Sequence, residues 1–317
     1  MRRLVRSLGL LIAALGIGFV VRELVRSWDD VHAALAGADP GRLAAALLVG
    51  SAGFLLIGLG WRRCLAALGA RPAVRDTLHW YYVGQLGKYV PGGIWPVVGR
   101  GELARRGGIP AGVGYGSTIL SLAVTYLAAI LTVALALVAG AARGGVLWQP
   151  VLALLPLGIL ALHPRVVAGV LRLARRLTRR ELRVPVPSWG ASIGLLLWHV
   201  PAWLAVGTAT WLVAAALDPA PPDFRNLLFA TVLSWVVGFL VVPAPGGIGV
   251  REAVFVAAAT SLSSLGVAAA VAVLARVTFI LVDLIGAGGA TLLVHARSRQ
   301  AGPSADPPEH RPAAGAG

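Results

Sequence analysis

Seven ionisable residues interrupt otherwise apolar sequence and together could hold an anion: Lys88, Arg100, Glu102, Arg251, Glu252, Arg276 and Asp283. Arginine offers a planar fork of donors and lysine a compact point charge, and both suit a phosphate. In that reading Lys88, Arg100, Arg251 and Arg276 cradle an anionic head group. Glu102, Glu252 and Asp283 balance them while the site is empty. Arg276 and Asp283 are seven residues apart, which places them on one face of a helix. The alternative is mechanical: Arg251 and Glu252 pair with Arg276 and Asp283 and lock helices together. Arg105 and Arg106 read as interfacial anchors, and His79 and His199, each beside a tryptophan, as packed residues. No HExxH, P-loop or GxSxG motif occurs, and Cys64 is the only cysteine. The sequence therefore offers no nucleophile–base pair, no cysteine metal cluster and no intramolecular disulfide. It reads as a non-enzyme without cofactor or metal.

Two matched interruptions stand next to these charges. Pro91-Gly92-Gly93-Ile94 precedes Arg100 and Glu102, and Pro245-Gly246-Gly247-Ile248 precedes Arg251-Glu252. Proline ends a helix by removing a donor, and paired glycines permit positive φ and close backbone approach. In hydrocarbon such a break survives only when it is buried in protein or lines a wet cavity. The two copies therefore predict two re-entrant hairpins with tips near mid-membrane. Helix N-termini just beyond each break would add aligned N–H groups, a natural anion site.

The elements that must carry these residues are membrane helices. The chain has 57% hydrophobic and only 13% charged residues, against about 25% charged in soluble domains. It cannot cover a water-exposed globule. Apolar runs of spanning length occur at Leu8–Val25, Leu43–Gly60, Ser117–Ala139, Val146–Leu162, Trp189–Leu217 and Val267–Val294. Leu8–Val25 follows Arg2, Arg3 and Arg6 without a small-x-small cleavage site, and reads as an uncleaved first span. Thr77–Arg100 and Asn226–Ser261 are the hairpins. The net charge of +15 comes from arginines clustered between apolar runs, which is the positive-inside pattern rather than a nucleic-acid surface. Every basic segment falls on one side if the first hairpin enters from the cytoplasm and the second from outside. Three spans separate the hairpins, so the second copy is inverted relative to the first, a recurring transporter design. The expectation is an all-α integral membrane protein, a polytopic bundle with two inverted repeats, each carrying a re-entrant hairpin broken at PGG. Residues 1–296 form the transmembrane domain. Residues 297–317, rich in Pro, Ala and Gly, form a disordered cytoplasmic tail. Arg165–Arg183 reads as a basic cytoplasmic loop, and both termini are cytoplasmic.

Gly87-Lys88-Tyr89-Val90-Pro91-Gly92-Gly93 with Arg100 and Glu102, and Pro243-Ala244-Pro245-Gly246-Gly247-Ile248-Gly249-Val250-Arg251-Glu252, carry a resemblance. Over roughly residues 5–295 the sequence resembles the membrane-embedded region of lysylphosphatidylglycerol synthetase/flippase proteins and the stand-alone YbhN-like proteins. That resemblance implies a flippase of the cell membrane, moving an anionic or aminoacylated phospholipid or a polyprenyl-linked lipid. In the two-part synthetases a soluble aminoacyl-transfer domain follows the membrane region. This sequence stops at residue 317, so synthesis of lysyl-lipid by it is not expected. Two alternatives stay open. One is a permease for a small anion. The other is a membrane subunit that presents a lipid-linked substrate to a partner transferase. No nucleic-acid partner is expected.

Overall fold

The computed structural model describes residues 36–90, 94–141, 149–178, 184–218, 222–240, 247 and 249–300. The expected first span and most of the proposed tail lie outside these residues. So do Pro91, Gly92, Gly93, Pro245 and Gly246. Among the described residues the chain forms ten α-helices and one 3-10 segment, with no strand. They are α1 Pro40–Ala67, α2 Val74–Gln85, the 3-10 turn Leu86–Tyr89, α3 Trp95–Arg106, α4 Ala111–Val138 and α5 Gln149–Ala161. Then follow α6 Pro164–Thr178, α7 Trp189–Leu217, α8 Phe224–Leu240, α9 Val250–Ala258 and α10 Leu265–Gln300.

Four helices, α1, α4, α7 and α10, are long and apolar enough to cross a membrane, and α5 with α6 makes a fifth candidate. A 28-residue helix such as α1 or α4 is about 42 Å long, well over the roughly 30 Å of hydrocarbon. Asp39 starts α1 by accepting from Gly41 N at 2.8 Å, with Pro40 at the first turn. Ser188 starts α7 in the same way through Ala191 N at 3.2 Å. Small residues set the α1–α7 approach. A Cβ on Gly53 would lie 3.2 Å from the Ala202 carbonyl, and one on Gly50 3.6 Å from Ala209 Cβ. Membrane helices pack closely along such small-residue faces. Buried tryptophans tie α4 into this pair: Trp61 Nε1 donates to Ser117 Oγ at 3.1 Å, and Trp203 Nε1 to the Thr125 carbonyl at 2.7 Å.

Two expected boundaries move. Val146–Leu162 is expected as one span, but its described helix is α5, only 13 residues, about 20 Å. The chain then bends by 73° into α6. Arg165–Arg183, expected as a loop, is helical to Thr178. His163-Pro164 makes the corner, because proline fits the first turn of a helix and not its interior. α10 runs to Gln300, past the expected boundary at 296.

Between the long helices sit two broken hairpins. α2 and α3 are 12 residues each, about 18 Å, too short to cross singly. They run antiparallel in close contact. A Cβ on Gly99 would lie 3.2 Å from Gly84 Cα, and one on Gly87 2.8 Å from the Trp95 carbonyl carbon. α8 and α9 form the second hairpin. Asn226, near the start of α8, donates to the Ala258 carbonyl at 3.1 Å and accepts from Ser261 N at 3.0 Å, which closes its base.

The two bases lie at opposite ends of the bundle. The first is tied to the C-terminal end of α1, where Arg62 Nε donates to the Pro72 carbonyl at 3.1 Å. The second is tied to the far end of α4, where Asn226 donates to the Ala141 carbonyl at 3.1 Å. At that same end Asp39 N, beginning α1, donates to Ala216 O at the close of α7 at 3.1 Å. α10 runs along both hairpins and also packs on α1 and α7.

Candidate functional site

The described part of the first break is a single 3-10 turn, Leu86–Tyr89. It carries Lys88 and Tyr89 to α10. Lys88 Nζ lies 2.5 Å from Asp283 Oδ2, and Tyr89 Oη donates to the same oxygen at 2.5 Å. Asp283 is wholly buried and its other oxygen has no partner. Around the ammonium stands an aromatic box. Its nitrogen lies 4.9 Å from the Phe54 ring centroid and 5.7 Å from that of Trp235. Phe54 stacks on Phe279 at 5.6 Å, and Trp235 meets both edge-on. Apolar rings exclude water from the pair, and their negative faces offset part of the cation's desolvation.

The Trp235 ring also takes Arg251 from the returning arm of the second hairpin, with Cζ 3.6 Å from the ring centroid. Among the described residues Arg251 has no carboxylate within ion-pair distance, and its Nε is buried without a hydrogen bond. Neighbouring Glu252 is committed to other partners. One oxygen pairs with Arg276 of α10, and the other accepts from Gly249 N at 2.7 Å. Gly249 begins α9 at φ +76°, a conformation glycine adopts without strain. That N–H is therefore spent on Glu252 rather than left free for a ligand.

A small, open cavity lies between α8, α9 and α10. Arg251, Glu252 and Arg276 line it with Trp235, Thr231 and Ser234. Thr231 is buried, yet its hydroxyl has no partner. The walls thus hold one paired and one unpaired cation, with free hydroxyl capacity beside them. A singly charged anion would complete this set. An uncompensated buried charge is costly, and a ligand of opposite sign would compensate it.

Of the seven residues expected to act together, Lys88 and Asp283 form one pair, Arg276 and Glu252 another, and Arg251 stands between them. Arg276 and Asp283 do share the side of α10 that faces the hairpins. Arg100 is nearby but sealed. It is 2% exposed, its guanidinium lies 4.7 Å from the Tyr81 centroid, and it donates to Gln85. Glu102 does not join the cluster. It takes Arg105 at 2.7 Å and Arg106 at 2.9 Å near the outer end of α3. His199 is fully buried, with Nδ1 2.7 Å from the Leu195 carbonyl, and acts as packing. Among the described residues no His, Cys, Asp and Glu group could hold a metal ion.

Sequence reading missed Phe54, Trp235 and Phe279 and the glycines that admit the arginines. A Cβ on Gly84 would lie 2.7 Å from Arg100 Cγ. One on Gly238 would overlap the Arg251 stem, and one on Gly247 would lie 2.8 Å from it. The signal was present: Val83-Gly84-x-Leu86 precedes its break at the same spacing as Val237-Gly238-x-Leu240.

No curated protein matches the chain significantly. Residues 6–286 match the model of the lysylphosphatidylglycerol synthase TM region, and the chain therefore belongs to that family of multi-pass membrane proteins.

Proposed function

We propose that the chain is a lipid translocase of the cytoplasmic membrane, which passes an anionic head group through the bundle while the tails stay in the bilayer. The observation that carries this is Arg251: a cation without a carboxylate partner among the described residues, facing a cavity that also offers the Thr231 hydroxyl, likewise unpartnered among them. Family membership ties the membrane region to phospholipid metabolism, which favours a lipid as the source of the anion. Half-length helical arms based at opposite ends of the bundle support two re-entrant hairpins of inverted topology, the arrangement by which transporters build mid-membrane sites. In this reading the chain is a carrier and not a catalyst. The ion pairs Lys88–Asp283 and Arg276–Glu252 hold the hairpins to α10 until the head group arrives. The phosphate then competes with Glu252 for Arg276 and supplies the missing charge at Arg251.

The test is reconstitution in liposomes with fluorescent phosphatidylglycerol, lysyl-phosphatidylglycerol or a polyprenyl phosphate, followed by reduction of the outer-leaflet dye. Wild type should expose inner-leaflet lipid to the reductant. Arg251→Ala should slow it about tenfold or more, as expected for losing a charged hydrogen bond of roughly 1.5–3 kcal/mol, while staying folded in detergent. Failure with all three lipids rejects the proposal. Uptake of a soluble anion without lipid movement would mark a permease. Unfolding of Arg251→Ala would assign the arginine to helix locking.

A further inference from the structure

The second arginine slot, in the first hairpin, resembles the one beside the cavity too closely to be only a packing accident. The two copies run in register with a constant offset, 245 − 91 = 154. At that offset Thr77 matches Thr231, Tyr81 matches Trp235, Gly84 matches Gly238, and Pro91 to Ile94 match Pro245 to Ile248. The structure repeats the geometry. In each hairpin a glycine on the entering helix admits the stem of an arginine on the returning helix. In each the guanidinium lies over the aromatic ring one turn before that glycine, at 4.7 Å for Arg100 on Tyr81 and 3.6 Å for Arg251 on Trp235. In each the Nε is buried without a hydrogen bond. The returning arm reaches its arginine nine residues after Pro91 but six after Pro245. That difference of three is nearly one helical turn, so both arginines meet the entering helix on the same side.

The slots differ in one respect. Arg251 faces the cavity, whereas Arg100 is shut in and its guanidinium is held by Gln85, where the second copy has Phe239. Arg100, like Arg251, has no carboxylate within ion-pair distance among the described residues. Lys88, paired with Asp283, lies within coulombic range of both arginines.

We propose that Arg100 is a second phosphate station, the counterpart of Arg251 in the other hairpin, which opens as the cavity beside Arg251 closes. Gln85 is its placeholder: a neutral acceptor that occupies the guanidinium until phosphate replaces it. This inference rests on the translocase reading and adds the position that receives the head group on the opposite side.

The experiment uses the full chain with Cys64→Ser, reconstituted in phosphatidylcholine vesicles with or without phosphatidic acid. Single Gln85→Cys and Thr231→Cys variants are labelled with a small cationic methanethiosulfonate. With phosphatidic acid present, Gln85→Cys should react several-fold faster and Thr231→Cys several-fold slower than in phosphatidylcholine alone. Arg100→Gln should lose about tenfold or more of the phosphatidic acid movement, and Arg100→Lys should recover part of it, since it keeps the charge. Continued lipid movement with Gln85→Cys unreactive throughout, or with Arg100→Gln at the wild-type rate, overturns the second station and leaves the translocase standing. Absence of any lipid movement removes both.

Discussion

Of the two ion pairs that tie the hairpins to α10, Arg276–Glu252 is partly exposed and Lys88–Asp283, with its carboxylate wholly buried, is the more demanding. Asp283 is wholly buried and shares one oxygen between an ammonium and a phenol, both at 2.5 Å. Removing one partner from a buried pair costs about 3–5 kcal/mol, because the remaining charge is stranded, whereas replacing both by apolar groups is often neutral. Lys88→Met should therefore lower the melting temperature of the purified protein markedly, and Lys88→Met with Asp283→Leu should restore most of it. The double variant then separates structure from transport. If it is stable and still moves lipid, the pair is only a clamp. If it is stable and inert, breaking and remaking the pair belongs to the transport cycle. The charged residues themselves were legible in the sequence, because ionisable groups in apolar runs stand out against a membrane background. Their pairing was not. Glu102 was grouped with the site, yet arginines three and four residues later lie on its own helix face, and that local contact wins. Trp235 and Phe54 gave no signal, because an aromatic residue in a hydrophobic helix looks the same whether it faces lipid, core or a cation.

The hairpins are defined by where two elements can approach, and that is set by the absence of side chains. Gly238 on α8 leaves room for the Arg251 stem of α9. Gly194 on α7 has nothing within 4 Å of where a Cβ would stand. Gly194→Ala should thus be neutral or slightly stabilising, by up to about 1 kcal/mol, since alanine is the better helix former. Gly238→Ala gains the same propensity but must push Arg251 off the Trp235 ring. It should abolish lipid movement while lowering thermal stability by roughly 1–3 kcal/mol, the range for overpacking. Equal behaviour of the two variants in both assays would show that the slot has no function. Helix existence was readable from hydropathy, and α7 begins and ends where the apolar run does. The α5–α6 corner was not, because an arginine-rich stretch after a span reads equally as loop or as surface helix until its apolar side is seen. On α6 that side is exposed at Val166, Val170 and Leu173, three or four residues apart, the spacing of one helix face.

Across the whole molecule, charge and topology agree on an orientation. At the end of the bundle that holds the first hairpin's base stand Arg62, Arg63, Arg71, Arg75, Arg105 and Arg106. α6 joins them there, because His163 at its start packs edge-on against Trp189 at the start of α7, with ring centroids 4.4 Å apart. At the other end, among the described residues, Asp39, Asp218 and Asp223 outnumber Arg42 and Arg225. Cytoplasmic loops carry the excess of Lys and Arg, which predicts that the arginine-rich end faces the cytoplasm. The 73° bend from α5 into α6 predicts that α6 lies along the inner leaflet rather than completing a span, its exposed apolar residues toward the acyl boundary and its arginines toward anionic lipid. Single cysteines placed in the Cys64→Ser background measure this directly. In intact cells an impermeant maleimide should label Ala139→Cys, at the far end of α4, and should leave Arg71→Cys and Arg172→Cys unlabelled until the membrane is permeabilised. Arg71 flanks the first hairpin's base, while Ala139 lies beside the Ala141 carbonyl that Asn226 holds at the second. Labelling of Arg71→Cys and Ala139→Cys from the same side would place both bases on one face. A head group could not then pass from one hairpin to the other, because the two slots would open to the same solution.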